Sequence, residues 1–190
     1  MDRIRGVFKN EQGAAVIIWA SFMLMLMSLF AALLLETGDL LMRKHMVQAA
    51  ADASVLSGAA ATDIIFEYDP FSKTVLQEVT VLRTDDLGGG TAQLMAEQTL
   101  EVNKNDLEFD RRKIEITDAD IDGDGLPEPG VRYIAGSPVL VTAMDGTVKT
   151  YYQSYGIVLN GYMEAPLWGS LFGDERLVFS ITAAARPDRD

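Results

Sequence analysis

The segment Thr117-Asp118-Ala119-Asp120-Ile121-Asp122-Gly123-Asp124-Gly125-Leu126-Pro127-Glu128-Pro129-Gly130 holds the densest local chemistry in this 190-residue sequence. Asp118, Asp120 and Asp122 alternate, and Gly123 follows. Carboxylates spaced two apart, with a glycine to turn the backbone, supply hard oxygens in the pattern of the first half of a calcium loop. A second register starts at Asp120 and takes in Asp122, Asp124 and Gly125. Neither register has the Glu that closes a full EF-hand loop, because Pro129 or Val131 stands there. Glu128 would close a shorter loop. The plainer reading is an acidic turn between two strands, since Asp and Gly are good turn formers. Four Asp within seven residues repel one another, however, and a cation relieves that repulsion. The expectation is a weak Ca2+ site built from Asp118, Asp120, Asp122, Asp124 and Glu128, suited to surroundings where calcium is near millimolar.

No other chemistry is as well marked. The single histidine, His45, would need a partner and a pocket to act as a general base. It reads instead as a solvated or interfacial residue. The sequence has no cysteine, which removes disulfides, thiolate metal sites and cysteine nucleophiles. It shows no nucleophile elbow, phosphate loop or zinc spacing. Its many carboxylates could contain a glycosidase pair, but nothing singles one out. The expectation is a protein that is not an enzyme and has no small-molecule substrate. Asp and Glu number 28 against 16 Lys and Arg, for a net charge of -12. That balance disfavours nucleic acid, which needs basic side chains to replace counterions.

The elements that carry these residues begin with an apolar run. The 24 residues from Gln12 to Leu35 have no charge and as a helix reach roughly 36 Å, enough for a hydrocarbon core of about 30 Å. Leu, Met, Ala and Phe dominate and no proline interrupts, which favours helix. Arg3, Arg5 and Lys9 precede the run, so the short N-terminal tail is expected to stay in the cytoplasm and the rest to be exported. The whole acidic excess lies past Glu36. A cleaved secretory signal is the rival reading. The run is too long for one, and Leu33-Leu34-Leu35-Glu36 offers no small-x-small cleavage site.

The helical pattern continues beyond the membrane. No proline appears before Pro70, and Gly38 is the only early breaker. Small residues at Ala50, Ser54, Ser57, Gly58 and Ala61 fall on one helix face and let another backbone approach closely. The prediction is one long helix, with a second half that lies on its own domain. A generic alanine-rich connector is the alternative, although linkers show more Pro, Ser and Gly.

The N-terminal third resembles the Tad-like (tight adherence, Flp pilus-assembly) proteins of bacteria. The matching residues are Gly13, Ala14, Ala15 and Val16 at the start of the apolar run. Further on they are Gln48, Ala49, Ala50, Ala51, Asp52, Ala53, Leu56, Gly58 and Ala59. The ending Leu177-Val178-Phe179-Ser180-Ile181-Thr182-Ala183-Ala184-Ala185-Arg186-Pro187-Asp188 also looks like the final strand of such proteins. The resemblance implies a pilin-like protein with a prepilin-type junction between Gly13 and Ala14. Family members cut there carry a Glu five residues past the Gly, and here that position is Ile18. The sequence is therefore similar to the TadG-like branch, in which the anchor stays intact.

After Asp63 the pattern changes. Ile64–Pro70, Arg112–Thr117, Ser137–Ala143 and Arg176–Ala185 read as strands, and Asp145-Gly146 marks a hairpin. Asp85–Gly90 reads as a loop. Thr91 is placed as the N-cap of a helix whose apolar face holds Leu94, Met95, Gln98 and Val102. Pro166 and Gly173 bracket a short helix. The predicted fold class is α+β and pilin-like: a long N-terminal transmembrane helix continues into an exported domain with a mostly antiparallel sheet. The expected divisions are a leader at 1–13, the transmembrane helix at 14–35, its extension at 36–62 and the exported domain at 63–190. The protein is expected in the bacterial cytoplasmic (inner) membrane as a single-pass chain. Its expected partners are other pilus-assembly or pilin-like subunits, copies of itself included. The alternative is a bitopic envelope-binding or adhesin module that displays a calcium loop.

Overall fold

The structure, a computed structural model, describes residues 11–84, 90–173 and 175–187. The basic residues Arg3, Arg5 and Lys9, most of the 1–13 leader, and residues 85–89 of the glycine loop lie outside the described residues. One helix, α1, runs without a break over Glu11–Ala60, 50 residues. Gly38 stays within it, and a Cβ there would meet nothing within 4 Å. Its penalty of about 1 kcal/mol relative to Ala is small against the helix formers around it. The hydroxyls of Ser28 and Thr37 donate back to Leu24 O at 2.9 Å and Leu33 O at 2.8 Å, so neither is left unpaired in an apolar stretch.

The chain forms two compact units. One draws on Met1–Leu41 and Ala165–Glu175, and holds the apolar part of α1 and a short helix, α3, at Pro166–Phe172. Pro166 begins α3, where a missing N–H costs nothing. Gly173 ends it in the left-handed conformation at φ 89° and donates its N–H to Gly169 O at 2.8 Å, the conformation that favours glycine.

The other unit draws on Met42–Glu164 and Arg176–Asp190. It contains a hairpin of β1 (Thr62–Tyr68) and β2 (Val75–Leu82), the helix α2 (Gly90–Asp106), and a second, four-stranded antiparallel sheet. That sheet is organised by β5, Val148–Glu164, at 17 residues the longest strand. Along one edge β5 pairs first with β4 (Val131–Thr142) and then with the three-residue β3 (Ile114–Ile116). Along the other it pairs with β6, Arg176–Ala185. The β4–β5 turn is the one marked by Asp145-Gly146. Asp145 Oδ1 accepts the Thr147 hydroxyl at 2.6 Å and its N–H at 2.9 Å, and these bonds, the hydroxyl first, hold the carboxyl below its ordinary pKa.

The core lies where α1, α2 and β5 meet. Val47, Ala50, Ala51, Ser54, Val55, Gly58 and Ala59 are buried on one face of α1, with the three- and four-residue spacing of a helical stripe. Ala92, Ala96 and Leu100 of α2, and Tyr155, Ile157 and Leu159 of β5, are also buried. On β6, Phe179, Ile181 and Ala183 alternate inward, as a half-buried strand requires.

The α+β class, the long helix and the antiparallel pairing agree with the sequence reading. Three local expectations do not. Helix α2 starts at Gly90, so Thr91 lies in its first turn rather than at its cap. Its buried face is Ala92, Ala96 and Leu100, while Leu94, Met95 and Val102 are exposed. The close approach of α1 at Ala92 and Ala96 admits only small side chains there, so the larger Leu94 and Met95 face outward. Ala61 falls past the end of α1.

Candidate functional site

Two features could carry function: the surface of α1 and the acidic loop. One helix in the described residues is long and apolar enough to cross a membrane, and none of its most apolar window is buried inside the protein. Trp19, Phe22, Met25, Phe30, Leu34 and Leu35 are all exposed. A helix in the core of a soluble protein would bury such side chains. At a bilayer centre each Leu, Ile or Phe favours insertion by about 0.3–0.6 kcal/mol, whereas a charge costs about 2.5–3.5 kcal/mol, and none lies between Gln12 and Leu35. Gly13 and Ala14 sit in the first turn of α1, and Ile18 is exposed.

The small residues of α1 meet the folded unit. Ser54 Oγ donates to Ala96 O at 2.8 Å, and Ser57 Oγ to Met95 O at 3.3 Å. A Cβ on Gly58 would lie 2.6 Å from Tyr155 Cδ1 and 3.1 Å from Ala92 O, so only glycine fits. Ala50 is fully buried and Ala61 half-buried. This seam therefore packs within one chain. Tyr155 lies under it, stacked on Tyr133 with ring centroids 6.0 Å apart. Burial, with smaller contributions from Tyr133 and Glu97, pushes the Tyr155 hydroxyl above its ordinary pKa. Its oxygen is buried and has no hydrogen-bond partner among the described residues. Burial, and then Glu97, raise Tyr133 to about 12.

The acidic loop is tied to the sheet at Asn160, which is buried on β5. Asn160 N donates to Gly130 O at 2.8 Å, and its Nδ2 to Pro129 O at 2.9 Å. Thr117 N donates to Asn160 O at 3.2 Å. Ala119 and Glu128 form an antiparallel bridge across the base of the loop. Within it, Asp120 accepts two backbone N–H bonds, from Gly123 at 2.7 Å and Gly125 at 2.9 Å. Asp122 accepts from Asp124 N, and Asp124 from Leu126 N. Gly123 and Gly125 take positive φ, 79° and 89°.

Of the five residues expected to bind calcium, the structure brings three together. One carboxylate oxygen from each of Asp120, Asp122 and Asp124 lies within 4.8 Å of the others. Asp118 and Glu128 are outside that group. Asp118 Oδ1 accepts Gly130 N, and Glu128 Oε2 accepts Ile121 N, both at 2.8 Å. The group is largely exposed, and backbone N–H bonds already occupy oxygens on all three members. An exposed acidic group held in this way is also what a plain Asp-Gly turn presents.

The chain matches no protein-family model, no curated protein and no solved structure.

His45 is exposed on α1. A cavity of about 390 Å³ lies beside β3 and is lined by Lys104, Lys113, Arg176, Asp110, Glu115 and Tyr162, among others. Its charges are mixed, and Arg176 and Glu115 pair across it at 3.6 Å. Sequence reasoning missed three positions that organise the molecule: Tyr155, Asn160 and Glu36. Only Glu36 carries a local signal, as the first charge past the apolar run.

Proposed function

We propose that this chain is a membrane-anchored, pilin-like structural component of a bacterial tight-adherence (Tad/Flp) pilus-assembly system, with its folded unit on the exported side. The observation that carries this reading is the unbroken α1. Its first half is apolar and uncovered, and its second half is the central packing element of a folded unit. The residues Gly13, Ala14, Ala15 and Val16, with the later alanine-rich stretch, support this choice of system through their resemblance to such proteins. Because Ile18 stands in place of the glutamate of processed members, the bond between Gly13 and Ala14 stays intact and the helix serves as a permanent anchor.

In this reading subunits associate through the uncovered 14–41 part of α1, because the Ala50, Ser54 and Gly58 seam is already occupied by α2 and Tyr155. That occupied seam also favours a second reading, an envelope-binding module that meets its partners through the folded unit alone. Crosslinking in native membranes with tagged pilus-assembly candidates separates the two. Crosslinked species through positions 14–41 are expected. Monomers only, with partners captured through the folded unit, would favour the second reading. An intact mass corresponding to the full chain, rather than to one starting at Ala14, is the companion result.

A further inference from the structure

The short helix α3 is unusually apolar for a surface segment between two strands. Its sequence is Pro166-Leu167-Trp168-Gly169-Ser170-Leu171-Phe172. Phe172 is 71% exposed and Leu171 46%. Trp168 is half-buried and stacks on Phe172 with centroids 5.0 Å apart. Water gains nothing from such a surface, and exposed apolar patches of this kind mark contacts with other apolar matter.

The height of α3 is fixed by one residue. Glu36 Oε1 accepts Leu167 N at 2.9 Å, and Oε2 accepts Trp168 N at 3.0 Å. Both residues belong to the same compact unit as the apolar part of α1. Glu36 is the first charge after the uncharged run, which as a helix is roughly 36 Å long against a hydrocarbon core of about 30 Å. It therefore sits just outside the hydrocarbon, in the headgroup layer. On the same side of α1, Ala32, Leu33, Glu36 and Thr37 are half-buried, while Leu34 and Leu35 are 73% and 77% exposed.

We infer that α3 is an interfacial foot: Leu171 and Phe172 insert among the lipid headgroups and upper acyl chains of the outer leaflet beside α1. This rests on the membrane reading of α1. Aromatic side chains favour that layer, where an apolar body meets a polar edge. A short helix lying in the plane binds there by burying its apolar face. The charges that flank α3 are mixed, with Glu164 before it and Glu175 and Arg176 after it, so the apolar face alone is tested on zwitterionic lipid. The foot would set the depth of the anchor and restrict the rotation of α1 about its axis.

The test uses the full chain in phosphatidylcholine vesicles carrying brominated acyl chains, which quench nearby tryptophan. Trp19 and Trp168 are the only tryptophans. Two reporters are built on Trp19→Phe with Trp168→Phe, one adding Phe172→Trp and the other Leu171→Trp. A control with Trp168→Phe alone keeps Trp19. Both reporters are expected to lose emission, and more to shallow bromines than to deep ones. If neither is quenched while Trp19 is, the foot is wrong and the anchor stands. If deep bromines quench the reporters more strongly, the segment is not interfacial. If Trp19 itself escapes quenching, the membrane reading fails and the foot falls with it.

Discussion

Glu36 caps the backbone of Trp168: its Oε2 accepts the Trp168 N–H at 3.0 Å while Oε1 takes the neighbouring Leu167 N–H at 2.9 Å. A carboxylate at the positive end of a helix satisfies donors that have no partner within it. Ala165, at the cap position itself, supplies no side-chain bond. The first charge beyond the apolar run therefore does the work of the missing cap. Glu36→Ala is expected to cost about 0.5–2 kcal/mol, the usual loss for a cap. Amide exchange at Leu167 and Trp168 should quicken, while the β5 and β6 amides stay protected. Unchanged exchange at both positions would show that α3 does not depend on Glu36.

The α1–α2 seam should be intolerant of added volume. Gly58→Ala places a methyl group 2.6 Å from Tyr155 Cδ1, and overpacking of this kind costs about 1–3 kcal/mol. Ser54→Ala removes the bond to Ala96 O and should cost about 1 kcal/mol. Ala60→Ser, on the exposed side of the same turn, should be nearly neutral. Thermal melts of the three variants in one detergent give the ranking.

Tyr155 makes stability depend on alkaline pH. Its neutral form is favoured in the fold, with a pKa raised above the ordinary value of 10.0. The contribution is thus complete below about pH 10 and is lost as pH rises toward the folded value. Tyr155→Phe removes a buried hydroxyl that has no partner among the described residues, so at pH 7 it should be neutral or stabilising by up to about 1 kcal/mol. It should also flatten the alkaline decline expected in melts taken from pH 9 upward. Tyr155→Ala should instead cost about 3–5 kcal/mol through the cavity it leaves. A large loss from Tyr155→Phe at pH 7 would mean that the hydroxyl has a partner.

The acidic loop should depend on Asp120 more than on Asp122. Asp120 accepts two backbone N–H groups and Asp122 one. Removing an acceptor costs about 0.5–1.5 kcal/mol per bond. Asp120→Ala should therefore lower the melting temperature further than Asp122→Ala, in buffer with chelator. Equal effects would show that these turns do not hold the loop.

Much of the fold could be read from local pattern. The length of α1 follows from an absence of proline and a supply of helix formers. Asp145-Gly146 and Gly173 mark their turns because each needs a positive φ or an Asx bond that few residues provide. The α2 face could not be read in this way. Periodicity favours the large apolar residues Leu94, Met95 and Val102, but α1 brings small residues to the contact, so Ala92 and Ala96 fill it. The thirteen residues from Asp118 to Gly130 announced an acidic turn. Their attachment to Asn160 was hidden, because it joins positions some thirty residues apart. The Glu36–Trp168 cap was hidden for the same reason, over a span of 132 residues.

The proposed bitopic arrangement is open to one direct measurement. The chain has no cysteine, so a single introduced thiol is an unambiguous reporter. Asn10→Cys and the exposed Asn105→Cys are expressed separately in a bacterial host, and spheroplasts are treated with a membrane-impermeant maleimide. An exported domain on a cytoplasmic leader predicts labelling of the residue-105 thiol in intact spheroplasts and of the residue-10 thiol only after permeabilisation. Labelling of the residue-10 thiol alone, or recovery of the protein in the soluble fraction, would contradict the account.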